Sequence, residues 1–364
     1  MTLILCVVLV ALAFEYINGF HDTANSIATV VATKVLSPRQ AVMLAAVTNL
    51  IGALWGTAVA KTIASGLVDG RVVTQQVLIC ALLGAIVWNL ATWYWGLPSS
   101  SSHALVGGLV GAAVAAAGDW SVVIWSQPGG SGWFASKGLL SKVVMPMFAS
   151  PIIGYVLGFI IMGLLYAFLR NWKPRTVNAV FGRAQMCSAA AMGFMHGTND
   201  AQKTMGIVAL ALASGTAAGS LDELPAWLSF LRVTPPAPGH DLEIDAWIKV
   251  VCAVVMASGT AAGGWRIIKT LGHKMVRLQP VHGFAAETTS ASIIGLASHF
   301  GIPVSTTHNI SAAIMGVGSA KRFNSLKWTV VERMVWAWLL TIPVTGAIGY
   351  LLVRLLHSFG VSSV

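Results

Sequence analysis

The sequence predicts an all-α polytopic membrane protein with two inverted-topology repeats, broken or re-entrant helices and about 10–12 membrane segments. The first observation behind this prediction is composition. The mean hydropathy is +0.77, 56% of the residues are hydrophobic and only 9% are charged. Soluble domains carry about 25% charged residues, so the chain belongs in a bilayer. The second observation is that two polar motifs recur, one copy in each half of the chain.

Ten apolar segments approach the roughly 20 residues that a helix needs to cross the hydrocarbon core. They lie at about 3–32, 40–60, 72–95, 99–117, 144–169, 184–213, 246–265, 281–301, 304–320 and 329–356. The first is apolar from Thr2 and has no basic region before it, so it is interpreted as a membrane helix rather than a removed signal peptide. The segments starting after Pro98 and Pro303 open on polar residues and are short enough to re-enter the membrane instead of crossing it.

Five segments in each half is an odd number, so the second half enters the membrane from the opposite side to the first. We therefore divide the chain into a first repeat (1–169), a basic linker (170–183) and a second repeat (184–364). Basic residues concentrate in three short loops, which the positive-inside rule places in the cytoplasm. These residues are Arg170, Lys173, Arg175 and Arg183; Arg266, Lys269, Lys274 and Arg277; and Lys321, Arg322 and Lys327.

The stretch from Gly215 to Asp245 is Pro-rich and acidic, and it is predicted to be an external loop. Its acidic residues are Asp222, Glu223, Asp241, Glu243 and Asp245. The protein is predicted to lie in the plasma (inner) membrane with both termini external. Lys61 and Arg71 depart from the positive-inside pattern, because this topology places them outside. The net charge of +10 is spread over loops rather than one face, which argues against nucleic acid as a partner. The four cysteines lie in apolar segments without metal-type spacing and are predicted to be packing residues.

The first recurring motif is a proline followed by small hydroxyl residues and a histidine. Pro98–His103 (PSSSSH) is repeated as Pro303–His308 (PVSTTH). Proline and hydroxyl residues start helices well, and a helix N-terminus offers unpaired N–H groups and a partial positive charge to an anion. Helix capping alone explains one copy. Two copies within membrane segments favour a site in which both starts surround a tetrahedral anion.

The second motif places a carboxylate in each half. Gly19–Asn25 (GFHDTAN) is echoed by Gly197–Lys203 (GTNDAQK), with Asp22 and Asp200 in matching positions. Each aspartate shares a helix face with the residue three positions later. A carboxylate inside a membrane usually marks an ion or proton path. Because like charges repel, carboxylates beside an anion indicate that a cation or proton travels with it; a structural ion pair is the alternative.

Histidines and a further glutamate complete the set of ionisable groups in apolar segments. His103 and His308 end the hydroxyl motifs and can relay protons near neutral pH, although such residues are often hydrogen-bonded packing groups. Glu287 has Leu82 as its counterpart, so it is an unpaired carboxylate with either a functional or a structural role. Glu15 and Asn89 also interrupt apolar runs.

These residues closely resemble the inorganic phosphate transporter (Pit) family, and with the intervening segments the resemblance covers essentially the whole chain. The matching stretches are 18–29 (NGFHDTANSIAT), 88–111 (WNLATWYWGLPSSSSHALVGGLVG), 196–206 (HGTNDAQKTMG) and 301–316 (GIPVSTTHNISAAIMG). The resemblance implies an inverted-repeat secondary transporter whose phosphate site is built from both aspartate motifs and both hydroxyl motifs. The family's first motif often reads Gly-Ala-Asn-Asp-Val-Ala-Asn. The Phe-His-Asp-Thr-Ala-Asn found here resembles the bacterial low-affinity, proton-coupled branch, which can carry metal–phosphate complexes.

Lys203 stands where the family usually has asparagine in the second copy. It either places a positive charge beside phosphate or removes a sodium ligand, and both favour proton coupling.

The predicted function is import of inorganic phosphate, alone or as a metal–phosphate complex, by proton symport with alternating access. The residues predicted to contact phosphate are Asn25, Ser100, Ser101, Ser102, Thr198, Asn199, Lys203, Ser305, Thr306 and Thr307. The predicted coupling groups are Asp22, Asp200, Glu287, His103 and His308. No resident metal or cofactor is predicted, and a homodimer is among the expected assemblies.

The alternatives are a sodium-coupled phosphate symporter, a sulfate or other oxyanion permease, an intramembrane enzyme using the His21–Asp22 pair, and a non-transporting receptor. The enzyme is disfavoured because that pair lacks an adequate third ligand.

Overall fold

The chain folds into a bundle of helices. The computed structural model describes residues 1–128, 136–222, 224–234 and 242–360. The α-helices are α1 (Thr2–Ala32), α2 (Pro38–Ala53), α3 (Ala58–Ser65), α4 (Gln75–Trp95), α5 (Ser101–Ala117), α6 (Met145–Leu169), α7 (Pro174–Ala217), α8 (Ala246–Ala262), α9 (Trp265–Lys269), α10 (Pro280–His299), α11 (Thr306–Ser319) and α12 (Trp328–Ser358). In these residues β-structure is limited to isolated bridges. The all-α membrane fold expected from the sequence is confirmed.

The same six elements follow one another in α1–α6 and in α7–α12. In each half the second element is broken: α2 and α3 form a pair bent by 70°, and α8 with the following helix to Lys274 forms a pair bent by 56°. The contacts between helices match in the same way. Helix α5 packs against α12 and α11 against α6, α4 packs against α1 and α10 against α7, and α8 packs against α1 as α2 packs against α7. Exchanging the two halves therefore leaves this set of helix contacts unchanged.

Local sequence explains where the two short helices α5 and α11 start. Gly96 and Gly301 adopt positive φ angles of 67° and 62°, which a residue without a side chain tolerates best. After each glycine a proline brings the chain in as an extended segment, and a serine then caps the helix. Ser100 Oγ accepts from the backbone N–H of His103 (3.2 Å), and Ser305 Oγ accepts from that of His308 (3.1 Å).

Two separate apolar clusters form the core, with polar side chains between them. On α1, Phe14 belongs to the first cluster and Ala24 to the second. Along α7, Met192 lies in the second cluster and Ala201 in the first. Large apolar side chains such as Phe168 on α6 are exposed, as expected for a surface that faces lipid.

The helix bounds differ from the predicted segments in several places. Helix α7 begins at Pro174 rather than at 184, because Pro at the first position starts a helix well and the basic residues after it form helix readily. The segments predicted at 40–60 and 246–265 are broken pairs. By length and composition, four of the described helices can cross a membrane, or six if each bent pair is one span. Helices such as α7 are less apolar because they bury polar side chains inside the protein. Glu223 and Asp241 of the predicted external loop lie outside the described residues.

Candidate functional site

The four copies of the two sequence motifs meet at one place. Helices α1 and α7 supply the aspartates from their middle turns, and α5 and α11 supply hydroxyl groups from their first turns. The side chains that make this contact are Asp22, Asn25, Ser101, Ser102, Asp200, Lys203, Thr306 and Thr307. We call these eight residues the central cluster. All are buried.

Asp22 connects α1 to both hydroxyl motifs. Ser101 Oγ on α5 donates to Asp22 Oδ2 (3.2 Å), and Thr307 Oγ1 on α11 donates to Asp22 Oδ1 (3.4 Å). The ring Nδ1 of His21 lies 2.6 Å from Asp22 Oδ1. The Asp22 side chain therefore contacts groups from three elements, α1, α5 and α11.

Asp200 is held by α7 and α11. Thr306 Oγ1 donates to Asp200 Oδ2 (2.8 Å), and Lys203 Nζ donates to Asp200 Oδ1. His196 Nε2 lies 2.9 Å from Asp200 Oδ2, at ion-pair distance but without the alignment of a hydrogen bond. Both carboxylate oxygens thus already have partners.

Asn25 and Lys203 make equivalent contacts in the two halves. Each follows its aspartate by three residues. Asn25 Nδ2 donates to Thr307 Oγ1 (2.9 Å) and to Thr306 Oγ1 (3.1 Å). Lys203 Nζ donates to Ser102 Oγ, the counterpart of Thr307, and to the backbone oxygen of Val304 (3.2 Å). The two halves therefore cross-connect through one amide and one ammonium.

The chemistry of the central cluster suits an oxyanion. Hydroxyl, amide and ammonium donors converge at the N-termini of α5 and α11, where the first backbone N–H groups have no partner within the helix. In the structure several of these donors already form hydrogen bonds to the carboxylates of Asp22 and Asp200. An incoming anion and the two carboxylates thus compete for the same hydrogen bonds.

One group of ligand atoms lies close enough to surround a cation. One ligand atom each from Asp22, His196 and Asp200 lies within 4.8 Å of the others. The sequence predicted no resident metal, and a cation here would compete with Lys203 and Thr306 for the oxygens of Asp200. The ammonium of Lys203 already supplies a positive charge at this position.

Four of the residues predicted to contact phosphate have hydroxyl or amide groups engaged elsewhere. Ser100 and Ser305 serve as helix caps. Thr198 Oγ1 donates to the backbone oxygens of Phe194 (2.9 Å) and Gly52 (3.2 Å), which ties α7 to α2. Asn199 Nδ2 donates to Ser298 Oγ (2.9 Å) and to the oxygen of Ile302 (3.3 Å), which fixes the chain before α11. These contacts position the helices around the central cluster.

Three of the predicted coupling groups also lie outside the central cluster. Glu287 accepts from Thr29 and Ser188, and from Gln185 Nε2 at 3.2 Å. The rings of His103 and His308 pack edge to face with centroids 4.8 Å apart, and His308 also stacks on Trp338 at 4.3 Å. Among the described contacts neither ring bonds to Asp22 or Asp200.

The two histidines that contact the aspartates were not among the predicted phosphate-binding or coupling residues, and His21 entered only through the disfavoured enzyme alternative. His196 lies four residues before Asp200, and this spacing on one helix face could have identified it. His21 is adjacent to Asp22, a spacing that gives no face relationship in a helix. The Nε2 atom of His21 is 3.2 Å from Thr92 Oγ1, and Thr92 Oγ1 in turn is 2.8 Å from Ser99 Oγ. These contacts link α1, α4 and the segment that leads into α5.

A surface cavity of about 1000 Å³ lies away from the central cluster. It is lined by the loops after α3 and α5 and by the last turns of α7, and it contains Asp69 and Arg71. The Arg71 guanidinium donates to Asp69 (2.7 Å) and holds the pKa of that carboxyl below its ordinary value. Arg71, the basic side chain among the described residues that line this cavity, is thus already paired.

The chain is similar to known proteins in sequence and in fold. The model of the phosphate transporter family matches residues 18–349. A Mycobacterium bovis protein named "Probable low-affinity inorganic phosphate transporter" is 44% identical over 358 residues, covering 98% of this chain and 78% of that protein. A Bacillus subtilis protein of the same name is 42% identical over 362 residues, covering 97% and 98%. A solved structure, "The sodium-dependent phosphate transporter", shares the fold with a TM-score of 0.78 at 23% identity, covering 98% of this chain and 100% of that one.

Proposed function

Because the chain belongs to the phosphate transporter family, we propose that it imports inorganic phosphate at low affinity by proton symport with alternating access. The family's members are transporters, so the chain is a transporter rather than an enzyme. The low-affinity description is that of its relatives in Mycobacterium and Bacillus. The observation that carries the proposal is the central cluster. In it Asp22 accepts hydrogen bonds from hydroxyls of α5 and α11, and Asp200 accepts one from a hydroxyl of α11.

The competition for donors gives a physical basis for coupling. While Asp22 and Asp200 are ionised, their carboxylates accept hydrogen bonds from Ser101, Thr306, Thr307 and Lys203. Their negative charges also repel an incoming anion. Protonation of either carboxylate removes a negative charge and weakens its hold on the donors, because a neutral acid accepts weaker hydrogen bonds than a carboxylate. The released donors then bind phosphate. Proton and phosphate therefore bind together.

Lys203 supports protons over sodium as the coupling ion. A sodium site needs carboxylate or other oxygen ligands that are not already bound to a cation, and the ammonium of Lys203 contacts Asp200 directly. Sodium-coupled phosphate symport is the second candidate function. It is favoured by the close approach of Asp22, His196 and Asp200 and by the shared fold with a sodium-dependent phosphate transporter. A metal–phosphate complex as cargo fits the same group of ligand atoms.

The matching elements of the two halves support alternating access. Helix contacts that are unchanged when α1–α6 and α7–α12 are exchanged let the two sides of the protein open in turn around a fixed site. The proposed orientation places the basic loops in the cytoplasm and both termini outside, in the plasma membrane.

Uptake of labelled phosphate into proteoliposomes tests the proposal. We expect accumulation with an imposed inward proton gradient and no added accumulation with an inward sodium gradient. Arsenate should compete, since it is a tetrahedral oxyanion of similar charge, and sulfate should compete poorly. Sodium-driven uptake without a proton effect would support the second candidate instead, and equal competition by sulfate would contradict phosphate as the preferred cargo.

A further inference from the structure

A stripe of buried polar side chains runs along one face of α1. Glu15, Asn18, Asp22, Asn25 and Thr29 follow one another at spacings of three and four residues, which places them on one side of a helix. All five are at most 2% exposed. Asp22 lies midway, because Glu15 and Thr29 are each seven residues away, or about 10 Å along the axis. The stripe therefore extends from the central cluster in both directions.

A buried glutamate lies at each end of this stripe. At the C-terminal end Thr29 donates to Glu287 of α10. At the N-terminal end Glu15 accepts a hydrogen bond from Thr204 of α7. Thr204 directly follows Lys203, so Glu15 contacts the same stretch of α7 that supplies the central cluster. The central cluster thus lies between two carboxyl groups on opposite sides of it.

The surroundings of Glu15 suit a protonated acid. Its Oε2 accepts from Thr204 and, at 3.5 Å, from Asn18 Nδ2, but its Oε1 has no hydrogen-bond partner among the described residues, and neither has Asn18 Oδ1. An ionised carboxylate with a bare oxygen at 0% exposure is costly in a membrane protein. Adding a proton turns the bare oxygen into a donor, and the unpartnered amide oxygen of Asn18 lies on the same helix face.

Few charged groups face Glu15. Among the described residues, the titratable groups that interact electrostatically with Glu15 are Asp200 and Lys203 on α7 and Cys252 on α8. Helix α4, which also packs against α1, contributes none among the described residues. Among these groups Asp200 is the carboxylate that could receive a proton from Glu15, and it shares the central cluster with Asp22.

We propose that Glu15 is a proton-binding residue that passes the coupling proton to the central cluster from the side on which α1 begins. The inference rests on the proposed proton symport. In the transfer the proton leaves a carboxyl oxygen of Glu15, which becomes a carboxylate. It binds a carboxylate oxygen of Asp22 or Asp200, which becomes neutral. Glu15 regains a proton from water when the transporter opens on that side, which the topology prediction places outside the cell.

Two transport assays on Glu15→Gln separate proton delivery from phosphate binding. Exchange of labelled for unlabelled phosphate at equal concentrations requires binding and conformational change but no net proton movement. Accumulation driven by a proton gradient requires both. We expect Glu15→Gln to keep exchange within about threefold of wild type and to lose at least about tenfold of driven accumulation, as for other groups that transfer protons. Glu332→Gln, which removes an exposed carboxylate of α12, is the matched control and should behave as wild type.

Driven accumulation by Glu15→Gln at the wild-type level would overturn the role of Glu15 while leaving proton symport intact. Failure of wild type itself to respond to a proton gradient would overturn the proposed function and this inference together. If Glu15→Gln also loses exchange, the test is the infrared difference spectrum with and without phosphate, recorded for wild type and for Glu15→Asp. A carboxylic-acid band that shifts in Glu15→Asp supports the proposal, and a spectrum that is unchanged in that variant overturns it.

Discussion

Lys203 lies one helical turn after Asp200 and donates a hydrogen bond to its carboxylate. The same ammonium group reaches Ser102 at the start of α5. In the first half the equivalent position is Asn25, whose amide reaches Thr307 at the start of α11. The two halves thus use the same geometry with different charge, and the central cluster contains one fixed cation beside two carboxylates.

The first prediction concerns this fixed cation. Lys203→Asn gives the second half the same residue type that the first half has at the equivalent position, Asn25. It removes a charge-assisted hydrogen bond worth about 1.5–3 kcal/mol, so the phosphate concentration for half-maximal uptake should rise at least about tenfold. Because Asp200 loses its cation, added sodium should restore part of the uptake. The measurement is phosphate uptake with and without sodium.

Lys269→Asn is the control, since Lys269 is exposed at the end of α9 and its loss should leave uptake unchanged. Wild-type affinity in Lys203→Asn would contradict a role of Lys203 in phosphate binding.

The second prediction separates hydroxyl groups that cap helices from those in the central cluster. Ser305 caps α11, whereas Thr307 connects Asn25 and Asp22. Ser305→Ala should lower stability by about 1 kcal/mol with little change in phosphate affinity. Thr307→Val, of nearly the same shape, should weaken phosphate binding by about 1–3 kcal/mol.

Thermal unfolding in detergent and phosphate titration of uptake, run on both variants, check this prediction. The same change in stability and in phosphate affinity in both variants would contradict the separation of the hydroxyl groups into helix caps and members of the central cluster.

The third prediction tests the packing of α5 against α12. A Cβ atom at Gly111 would lie 2.0 Å from the backbone oxygen of Gly346, so the two helices approach too closely for any side chain there. Gly111→Ala should destabilise the protein by about 1–3 kcal/mol because the helices must move apart. Gly163 on α6 has no atom within 4 Å of an added Cβ, and Gly163→Ala should be neutral or stabilise by up to about 1 kcal/mol.

Thermal unfolding of these two variants measures the difference. A Gly111→Ala protein as stable as Gly163→Ala would contradict the close helix contact.

The sequence allowed the main features of the central cluster to be predicted. The spacing of three residues correctly placed Asn25 beside Asp22 and Lys203 beside Asp200 on their helix faces. The proline and hydroxyl pattern correctly placed helix starts after Pro98 and Pro303. These are local properties, which depend on helix geometry and on capping, so a single sequence contains them.

Other features depend on how helices pack and could not be read from the sequence. Ser100 and Ser101 are the same residue type, yet one caps its own helix and the other bonds to Asp22, because the backbone turns between them at the helix start. The role of Glu15 was open because its partner Thr204 is distant in the chain. The break between α2 and α3 contains no proline, and its only local signal is Gly56, with a φ of 82°.

The most direct test of proton coupling through the central cluster is phosphate accumulation under an imposed proton gradient, measured for wild type, Asp22→Asn and Asp200→Asn. Asparagine keeps the shape of aspartate and cannot be ionised. We expect both variants to lose driven accumulation by at least about 100-fold, since neither can release and rebind the coupling proton at that position. Accumulation by Asp22→Asn and Asp200→Asn at the wild-type level, with the wild-type dependence on the proton gradient, would contradict coupling through these carboxylates.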